Sequence, residues 1–537
     1  MNDKQKDGLW FWLLMGGMVF FGIVTLRSQP HLSPDDFGKD LYGFEMFLKG
    51  AWPCRDFAWQ YGPLMLFYYG FWFAVGGVKV LTARIGLGFL YLLSSVAAYR
   101  ALRLFVSPPI AFLSGLAFLI QWLVYPYYNF NHIGSMPLLM FSIFCLWKFF
   151  RTHRWRWCYG GTLAIAGMAL GKINTGVFSF AAFFVSLVFY LIVSKARGFE
   201  DASSLWTRHL VFLPLLFGVL VAVSYGVMYS GTPLAYVDQC LTVRKIYRDQ
   251  TLSLRICLIH LVQWFWVWDR SRLRWVGVIL FFGLLGFLGF RKSERTPVEK
   301  KFLLPSLVSL LLFEGFNLSD YFMLGHIYRL DYWSFPVLVL LLGFCLHWAK
   351  ALFHPRLRGA LWCAVFLAVL ALPLQSVKKA FAAHVPERFL DFERGGVYLV
   401  DENPSTTEAL RKGTRFILEN TKPGDEILAV PVAPLYCFLS GRRHAVREIY
   451  FGEIGWLRDW QEERMLYEIQ ARPVPLVVLT NLDGQSSGFG VFGKTYVKKL
   501  GAYVFDHYRE VRRFGEPWEV NNPRRSHAIK IYQRKPE

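Results

Sequence analysis

Apolar blocks of membrane-span length recur along the first two thirds of this chain. The first block, LWFWLLMGGMVFFGIVT, covers positions 9–25, and further blocks follow up to about position 376. A helix needs roughly 20 apolar residues to cross a bilayer. The first block is too long for the apolar core of a signal peptide, and no small-residue cleavage site follows it. The sequence therefore predicts a mainly α, polytopic helical membrane protein that retains its first helix.

The positions of the basic residues predict how these helices are oriented. Lys4 and Lys6 precede the first block, and strongly basic segments such as RTHRWRW (151–157) and RKSERTPVEKK (291–301) separate later blocks. Cytoplasmic loops carry the excess of Lys and Arg, which predicts a cytoplasmic N-terminus. The net charge of +21 is explained by this bias, so nucleic acid is not expected as a partner.

About eleven spans result from this reading. After the first block we expect helices over 83–99, 109–124, 133–150, 158–171, 176–194, 209–228, 274–290, 302–316, 331–349 and 359–376. The apolar segment 61–78 is interrupted by Gly62-Pro63 and is interpreted as a juxtamembrane helix, because counting it as a span would invert the later basic loops. Segment 231–270 is interpreted as an outer loop followed by an interfacial helix.

A change of character after residue 376 predicts a second domain. Helical periodicity over 406–420 alternates with strand-length apolar runs at 426–433, 475–480 and 528–533. That alternation is typical of a small α/β domain. We therefore expect a transmembrane catalytic domain over 1–376 and a soluble, extracytoplasmic α/β domain over 377–537.

Carboxylates and cations concentrate in the predicted outer loops. The segment SPDDFGKD (33–40), the loop YPYYNFNH (125–132), GKINTG (171–176), the middle loop around 244–248 and NLSDYFMLGHIYRLDY (317–332) all fall on that side. Cations bind phosphate and a carboxylate accepts protons, so this composition suits a substrate with an anionic head and an apolar tail. The eight cysteines form no CxxC pattern and no His-rich metal spacing, and no zinc site is expected.

The order of these motifs resembles the GT-C type glycosyltransferases. The acidic pair after the first helix is followed by GFEMFLKGAWPCRDFAWQYGPLMLFYYGFWFAVGG (43–77), GKINTG, the H-x-x-R of GHIYRLDYWSFP, and a tail containing PGDEILAVPVAPLYCFLSGR (423–442). Taken together, they are similar to the bacterial branch related to protein O-mannosyltransferases and the lipid A aminoarabinose transferase. The resemblance covers most of the chain.

This resemblance implies an inverting transfer of a sugar from a polyprenyl-phosphate donor to a hydroxyl of a glycan, lipid or protein acceptor. It places the enzyme in the bacterial inner membrane with its active site outside. Asp35 would be the base, with Asp36 orienting the substrate or sharing that role. Donor-phosphate contacts would come from Lys172, His326, Arg329, Arg84, Arg244, Lys245 and Arg248, and weaker substrate contacts from Asp56, Tyr61, Asn131 and His132. Related enzymes often carry an acid in the second outer loop, where this chain has only Asn and His, so metal-independent transfer without a cofactor is expected.

Structural interpretations compete with several of these assignments. Ser33, Pro34 and Asp36 also fit the start of a helix, Asp56 can pair with Arg55, and Lys172 can extend to the lipid headgroups. The cations at 244, 245 and 248 can anchor anionic membrane lipids. At the level of function, a lipid-linked glycan flippase and a membrane glycan polymerase or ligase remain alternatives.

Overall fold

In a computed structural model, the chain is a mainly helical membrane protein that carries a mixed sheet near its C-terminus. The structure describes residues 3–29, 32, 34, 36–124, 130–196, 203–237, 303–315, 330–349, 374, 377–400, 403–451, 457, 459–481, 491–516, 518 and 527–536. The predicted helices 274–290 and 359–376, and the predicted interfacial helix before residue 270, lie outside these residues.

The helices of the first part follow the predicted apolar blocks. They are α1 (Asp3–Val24), α2 (Asp36–Leu48), α3 (Leu64–Gly76), α4 (Val80–Leu102), α5 (Pro108–Val124), α6 (Phe130–Thr152), α7 (Arg156–Gly171), α8 (Ile173–Ala196), α9 (Ser203–Tyr229), α10 (Leu303–Gly315) and α11 (Leu330–Ala349). Among the described residues, α1, α4, α6, α8 and α9 are long and apolar enough to cross a bilayer. This confirms the predicted fold class of a helical membrane bundle.

Contacts at the helix termini divide the bundle into two ends, which we call the basic end and the domain end. At the basic end, the start of α1 meets the end of α4, where Asp7 accepts hydrogen bonds from Tyr99 and Arg103. Tyr159 at the start of α7 likewise lies 2.5 Å from His209 near the start of α9. The cations of the predicted cytoplasmic segments lie at this end, namely Arg100, Arg103, Lys148, Arg151, Arg154, Arg156, Lys195 and Arg208. Successive spans therefore alternate in direction as the charge pattern predicts.

Helix α3 begins and ends at the domain end. The residue two positions before it, Gly62, bonds to Gly171 at the end of α7, and just after it the backbone N–H of Val80 donates to Arg394 of the C-terminal part. Its 13 residues span only about 20 Å. The prediction of a juxtamembrane helix rather than a crossing agrees with this placement.

The C-terminal part contains a five-stranded mixed sheet. Its strands are β3 (Glu426–Val430), β4 (Arg443–His444), β5 (Leu476–Thr480), β6 (Tyr508–Phe514) and β7 (Ile529–Arg534), in the order β4-β3-β5-β7-β6. β4, β3 and β5 run parallel, whereas β7 is antiparallel to both of its neighbours. Helices α12 (Pro404–Asn420), α13 (Pro434–Ser440), α14 (Asp459–Ala471) and α15 (Lys498–His507) accompany the sheet. The predicted strands are present, and the assignment of the whole range 377–537 to a separate domain stays a prediction.

The C-terminal part packs directly on the domain end of the bundle. The two-residue strands β1 (Ser28–Gln29) and β2 (Tyr398–Leu399) pair in parallel, which ties the end of α1 to this part. A side-chain atom on Gly38 of α2 would lie 2.5 Å from Leu435 of α13, so only glycine allows this approach. The backbone N–H of His444 donates to the Tyr42 hydroxyl at 2.7 Å. Helix α2 is therefore covered by the C-terminal part.

Candidate functional site

The acidic segment after the first helix forms the start of α2. Asp36 is the first residue of this helix, a position where a negative charge is favoured by the helix dipole, and Pro34 precedes it. Its carboxylate accepts a hydrogen bond from Lys39 at 2.9 Å, one helical turn later. A helix does begin in this segment, but at Asp36 rather than at Pro34 as the structural alternative expects. The Asp36 side chain is 23% exposed and can be reached from the surface.

Lys39 is a buried cation that the sequence analysis did not single out. Only 2% of its side chain is exposed. Its ammonium lies 5.1 Å from the centre of the Tyr61 ring and 4.8 Å from that of Tyr450, which follows β4. Aromatic faces and a carboxylate stabilise such a desolvated ammonium. The spacing of Asp36 and Lys39 in DFGKD was the signal available in the sequence, since residues three apart meet on a helix.

The predicted phosphate contact Lys172 is connected to this pair through the segment that contains Tyr61 and Gly62. It directly follows α7, and its preceding residue Gly171 accepts the backbone N–H of Gly62 at 3.1 Å. A side chain at position 62 would collide with the carbonyl of Leu170 at 2.0 Å, so glycine allows the loop to approach α7. Because Tyr61 adjoins Gly62, the structure brings together three predicted regions. We call Asp36, Lys39, Tyr61 and Lys172 the junction cluster.

Asp40 and Asn131 lie deeper than the junction cluster. Both are buried, at 2% and 0% exposure, and Asp40 interacts with the backbone N–H of Phe130 at the start of α6. Burial raises the pKa of Asp40 well above its usual range, an effect that the Lys39 ammonium only partly opposes. Helix α6 begins at Phe130, three residues before the predicted start at position 133. Asn131 and His132 are consequently buried helix residues rather than loop residues.

Two other predicted residues are engaged elsewhere. The Arg84 guanidinium is buried in α4 and donates to the carbonyl of Thr25 at 3.1 Å, next to the end of α1. Asp56 forms an ion pair of 2.8 Å with Arg55 and accepts the backbone N–H of Trp52, and the hydrogen bond from Arg55 lowers the pKa of Asp56. These contacts match the structural interpretation of Asp56. Roles of either residue in substrate binding stay predictions.

The remaining predicted site residues lie outside the described residues: Asp35, Arg244, Lys245, Arg248, His326 and Arg329. Within the described ranges, no group of three or more His, Cys, Asp or Glu side chains could hold a metal ion. Metal-independent transfer stays a prediction.

With this geometry in place, the structure can be compared with known proteins. It is similar to the crystal structure of ArnT from Cupriavidus metallidurans bound to undecaprenyl phosphate, with a TM-score of 0.57 and 13% sequence identity over 97% of this chain and 98% of that chain. The chain has the ArnT fold. The apo state of the same protein matches with a TM-score of 0.47 and 13% identity over 97% of each chain. No protein-family model matches the sequence, and no curated protein is significantly similar to it.

The ArnT likeness confirms the GT-C fold expected from the order of the motifs. It extends over nearly the whole of both chains, so the α/β part belongs to the shared fold as well as the bundle. At 13% identity the likeness concerns the fold alone. Statements about the reaction must therefore rest on the residues of this chain.

Proposed function

We propose that this protein is an inverting glycosyltransferase that moves a sugar from a polyprenyl-phosphate-linked donor to an acceptor hydroxyl. One observation carries the proposal: the ion pair of Asp36 and the buried Lys39 is found, like Lys172, at the domain end of a bundle that has the ArnT fold. An acid and two cations at the end of membrane-spanning helices match a lipid whose phosphate lies at the membrane surface. The reported ArnT structure holds undecaprenyl phosphate, which supports a lipid of that class.

The chemistry requires one proton acceptor and positive charge near the leaving group. The acceptor oxygen forms a bond to the anomeric carbon while the bond between that carbon and the phosphate oxygen breaks. The acceptor proton passes to a carboxylate, which we assign to Asp35, with Asp36 orienting the substrate. Because the leaving phosphate is already anionic, a second carboxylate acting as an acid is not required.

Cations of the junction cluster would stabilise the departing lipid phosphate. Lys39 sits one turn from Asp36, and Lys172 follows the tight contact between α7 and Gly62. Fixed positive charge in a site shielded from water stabilises developing negative charge without reorganisation. Arg84 stays part of the proposal as a further phosphate contact, as do the candidates outside the described residues, Arg244, Lys245, Arg248, His326 and Arg329.

We place this reaction at the outer face of the bacterial inner membrane, with the C-terminal domain on the same side. The support is the charge pattern, since the predicted cytoplasmic cations lie at the end of the bundle opposite the junction cluster. The acceptor is a glycan, lipid or protein hydroxyl, and transfer proceeds without a metal cofactor.

Substitution of the acidic pair tests this function. In membranes supplied with a polyprenyl-phosphate sugar, Asp35→Asn and Asp36→Asn should each lower transfer, the former by about 10²–10⁴-fold, because a positioned base contributes that much. Asp391→Asn is the matched control, since Asp391 pairs with Arg415 on the exposed surface of the C-terminal part and has no assigned role in the reaction. Unchanged transfer in both single variants and in the double variant, at normal abundance, would refute the assignment.

A further inference from the structure

Three buried polar side chains near Phe130, next to the junction cluster, carry atoms without hydrogen-bond partners. They are Asp40 of α2, Tyr69 of α3 and Asn131 of α6, which we call the polar triad. Within the described residues, Oδ1 of Asp40, the Tyr69 hydroxyl and both polar atoms of the Asn131 amide have no partner. Leaving a buried polar atom unpaired costs about 1–3 kcal/mol, so folded proteins rarely keep several together.

The members of the triad come from three helices, and each of them adjoins Phe130. Asp40 contacts the backbone N–H of Phe130 and lies within electrostatic range of Tyr69. The Tyr69 ring lies 4.6 Å from the Phe130 ring, and Asn131 is the next residue of α6. The Tyr69 ring also stacks on Phe44, with centroids 4.6 Å apart and planes 12° from parallel. Because these rings fix Tyr69, its hydroxyl cannot turn away to find another partner.

Helix α2 joins the triad to the junction cluster. Asp40 follows Lys39 directly and lies four residues after Asp36, a spacing that places the two acids on one face of the helix. A donor whose phosphate is held by Lys39 would therefore carry its sugar close to the triad. The surroundings are aromatic, which suits the apolar faces of a sugar ring.

The chemistry of the triad suits hydroxyl groups. A tyrosine hydroxyl and an asparagine amide both donate and accept hydrogen bonds, and a protonated carboxyl group does the same. Burial favours the neutral form of Asp40. Asp36, the nearest ionised acid, is already paired with the Lys39 ammonium. The ammonium group of an amino sugar would therefore find no separate anionic partner in the triad, where Asp40 is favoured in its neutral form.

We propose that Asp40, Tyr69 and Asn131 form a recognition subsite for the hydroxyl groups of a neutral, polyhydroxylated sugar on the donor. This inference rests on the function proposed above and adds the class of sugar. The triad would supply the hydrogen bonds, and Phe44 and Phe130 would shape the apolar surroundings of the ring.

Binding measurements on the full-length protein in detergent test this subsite separately from the reaction. The probes are undecaprenyl phosphate and its mannosyl, glucosyl, arabinosyl and aminoarabinosyl esters. The wild type should bind at least one neutral ester about 10-fold tighter than undecaprenyl phosphate, and Tyr69→Phe should remove most of that difference. Affinity for undecaprenyl phosphate itself should change less than about twofold, because the proposal places the phosphate at Lys39 and only the sugar at Tyr69.

Two further variants keep the test decisive. Tyr68→Phe is the matched control, since the Tyr68 hydroxyl donates to the Gly86 carbonyl at 2.7 Å, away from the triad. Asn131→Ala should repeat the loss seen with Tyr69→Phe.

Tighter binding of the aminoarabinosyl ester than of every neutral ester, or equal losses in Tyr69→Phe and Tyr68→Phe, would overturn the subsite. If undecaprenyl phosphate binds but no neutral ester binds tighter, the subsite fails and the proposed function stands. Failure to bind undecaprenyl phosphate at all would overturn both.

Discussion

Two acids at opposite ends of the helical bundle differ in their hydrogen bonding. At the basic end, the partly exposed Asp7 receives hydrogen bonds from Tyr99 at 2.7 Å and from Arg103 at 2.6 Å, so its carboxylate is paired within the protein. At the domain end, Oδ1 of the buried Asp40 and the neighbouring Asn131 amide have no hydrogen-bond partner in the described part of the chain. Polar groups that serve only the fold are normally paired within the protein. The unpaired atoms of Asp40 and Asn131 therefore point to a ligand at this place.

Other acids at the domain end do have partners, and their ion pairs attach the C-terminal part to the bundle. Glu448 is fully buried and forms ion pairs with Arg447 and Arg464. Arg447 in turn donates to the carbonyls of Cys54 and Arg55 in the first loop, and its guanidinium lies 3.8 Å from the centre of the Tyr236 ring beyond α9. This network joins the α/β part to two segments of the bundle.

The largest stability effect should come from breaking this network. Glu448→Ala leaves two guanidinium groups near a buried site without their carboxylate, and the loss of one partner of a buried pair costs about 3–5 kcal/mol. The unfolding temperature of the purified protein should therefore fall strongly. Asp7→Ala at the basic end is the comparison, because its ion pair is partly exposed, at 27%, and should cost only about 1 kcal/mol. Equal losses would remove the distinction between the two ends.

A smaller effect is expected from glycine substitutions at the two ends. Gly38→Ala places a methyl group 2.5 Å from the side chain and 2.6 Å from the backbone nitrogen of Leu435, so α2 and α13 must separate. Overpacking of this kind costs about 1–3 kcal/mol. Gly8→Ala in α1 meets no atom within 4 Å and should be neutral or slightly stabilising. Thermal unfolding of both variants measures the difference, and a stable Gly38→Ala protein would show that the contact between α2 and α13 is not tight.

The smallest effect is a dependence of stability on pH at Asp40. The pKa of Asp40 is raised in the folded protein, so its favourable contribution is present below the unfolded pKa of 3.8 and is lost as pH rises through the folded value. Asp40→Asn has no such loss. Its stability relative to the wild type should therefore increase between pH 4 and pH 8, by about 1.4 kcal/mol for each unit by which the pKa is raised.

For Asp56→Asn, we expect the opposite dependence of stability on pH. The pKa of Asp56 is lowered by the hydrogen bond from Arg55, so its contribution is present above the unfolded pKa and is lost as pH falls through the folded value. This carboxylate is exposed, and the effect should be small and confined to acidic pH. An Asp40→Asn difference that does not change with pH would contradict the assignment of a neutral Asp40.

The sequence predicted the bundle well because the lipid bilayer imposes a simple rule. Every span must be apolar over its whole length, so α1, α4, α6, α8 and α9 could be located from composition alone. The charge pattern also predicts that α3 does not cross the membrane, and its short length and its contacts at the domain end agree with that prediction. The apolar composition of a span is a local signal, and the charge pattern depends only on whether the number of preceding crossings is odd or even. Neither signal requires knowledge of which helices are in contact.

The site was predicted only in part, because its burial depends on contacts between distant segments. The motifs predict Asp36, Tyr61 and Lys172, and the structure connects them through Lys39 and through the contact of Gly62 with Gly171. Lys39 was passed over, since a lysine in a polar loop is usually exposed, and only Tyr61 and Tyr450 reveal that it is buried. The sequence likewise does not distinguish Tyr69 of the polar triad from the other aromatic residues of α3, because its role depends on the contact with Phe130.

The most direct test of the account is the affinity for undecaprenyl phosphate at the two ends of the bundle. Lys39→Met removes the buried cation of the junction cluster, whereas Lys148→Met removes a cation at the basic end, near Trp157. Titration of the purified wild type and both variants compares them under identical conditions. The account predicts that Lys39→Met weakens binding at least about 10-fold while Lys148→Met binds like the wild type. Unchanged binding in Lys39→Met, or an equal loss in Lys148→Met, would contradict it.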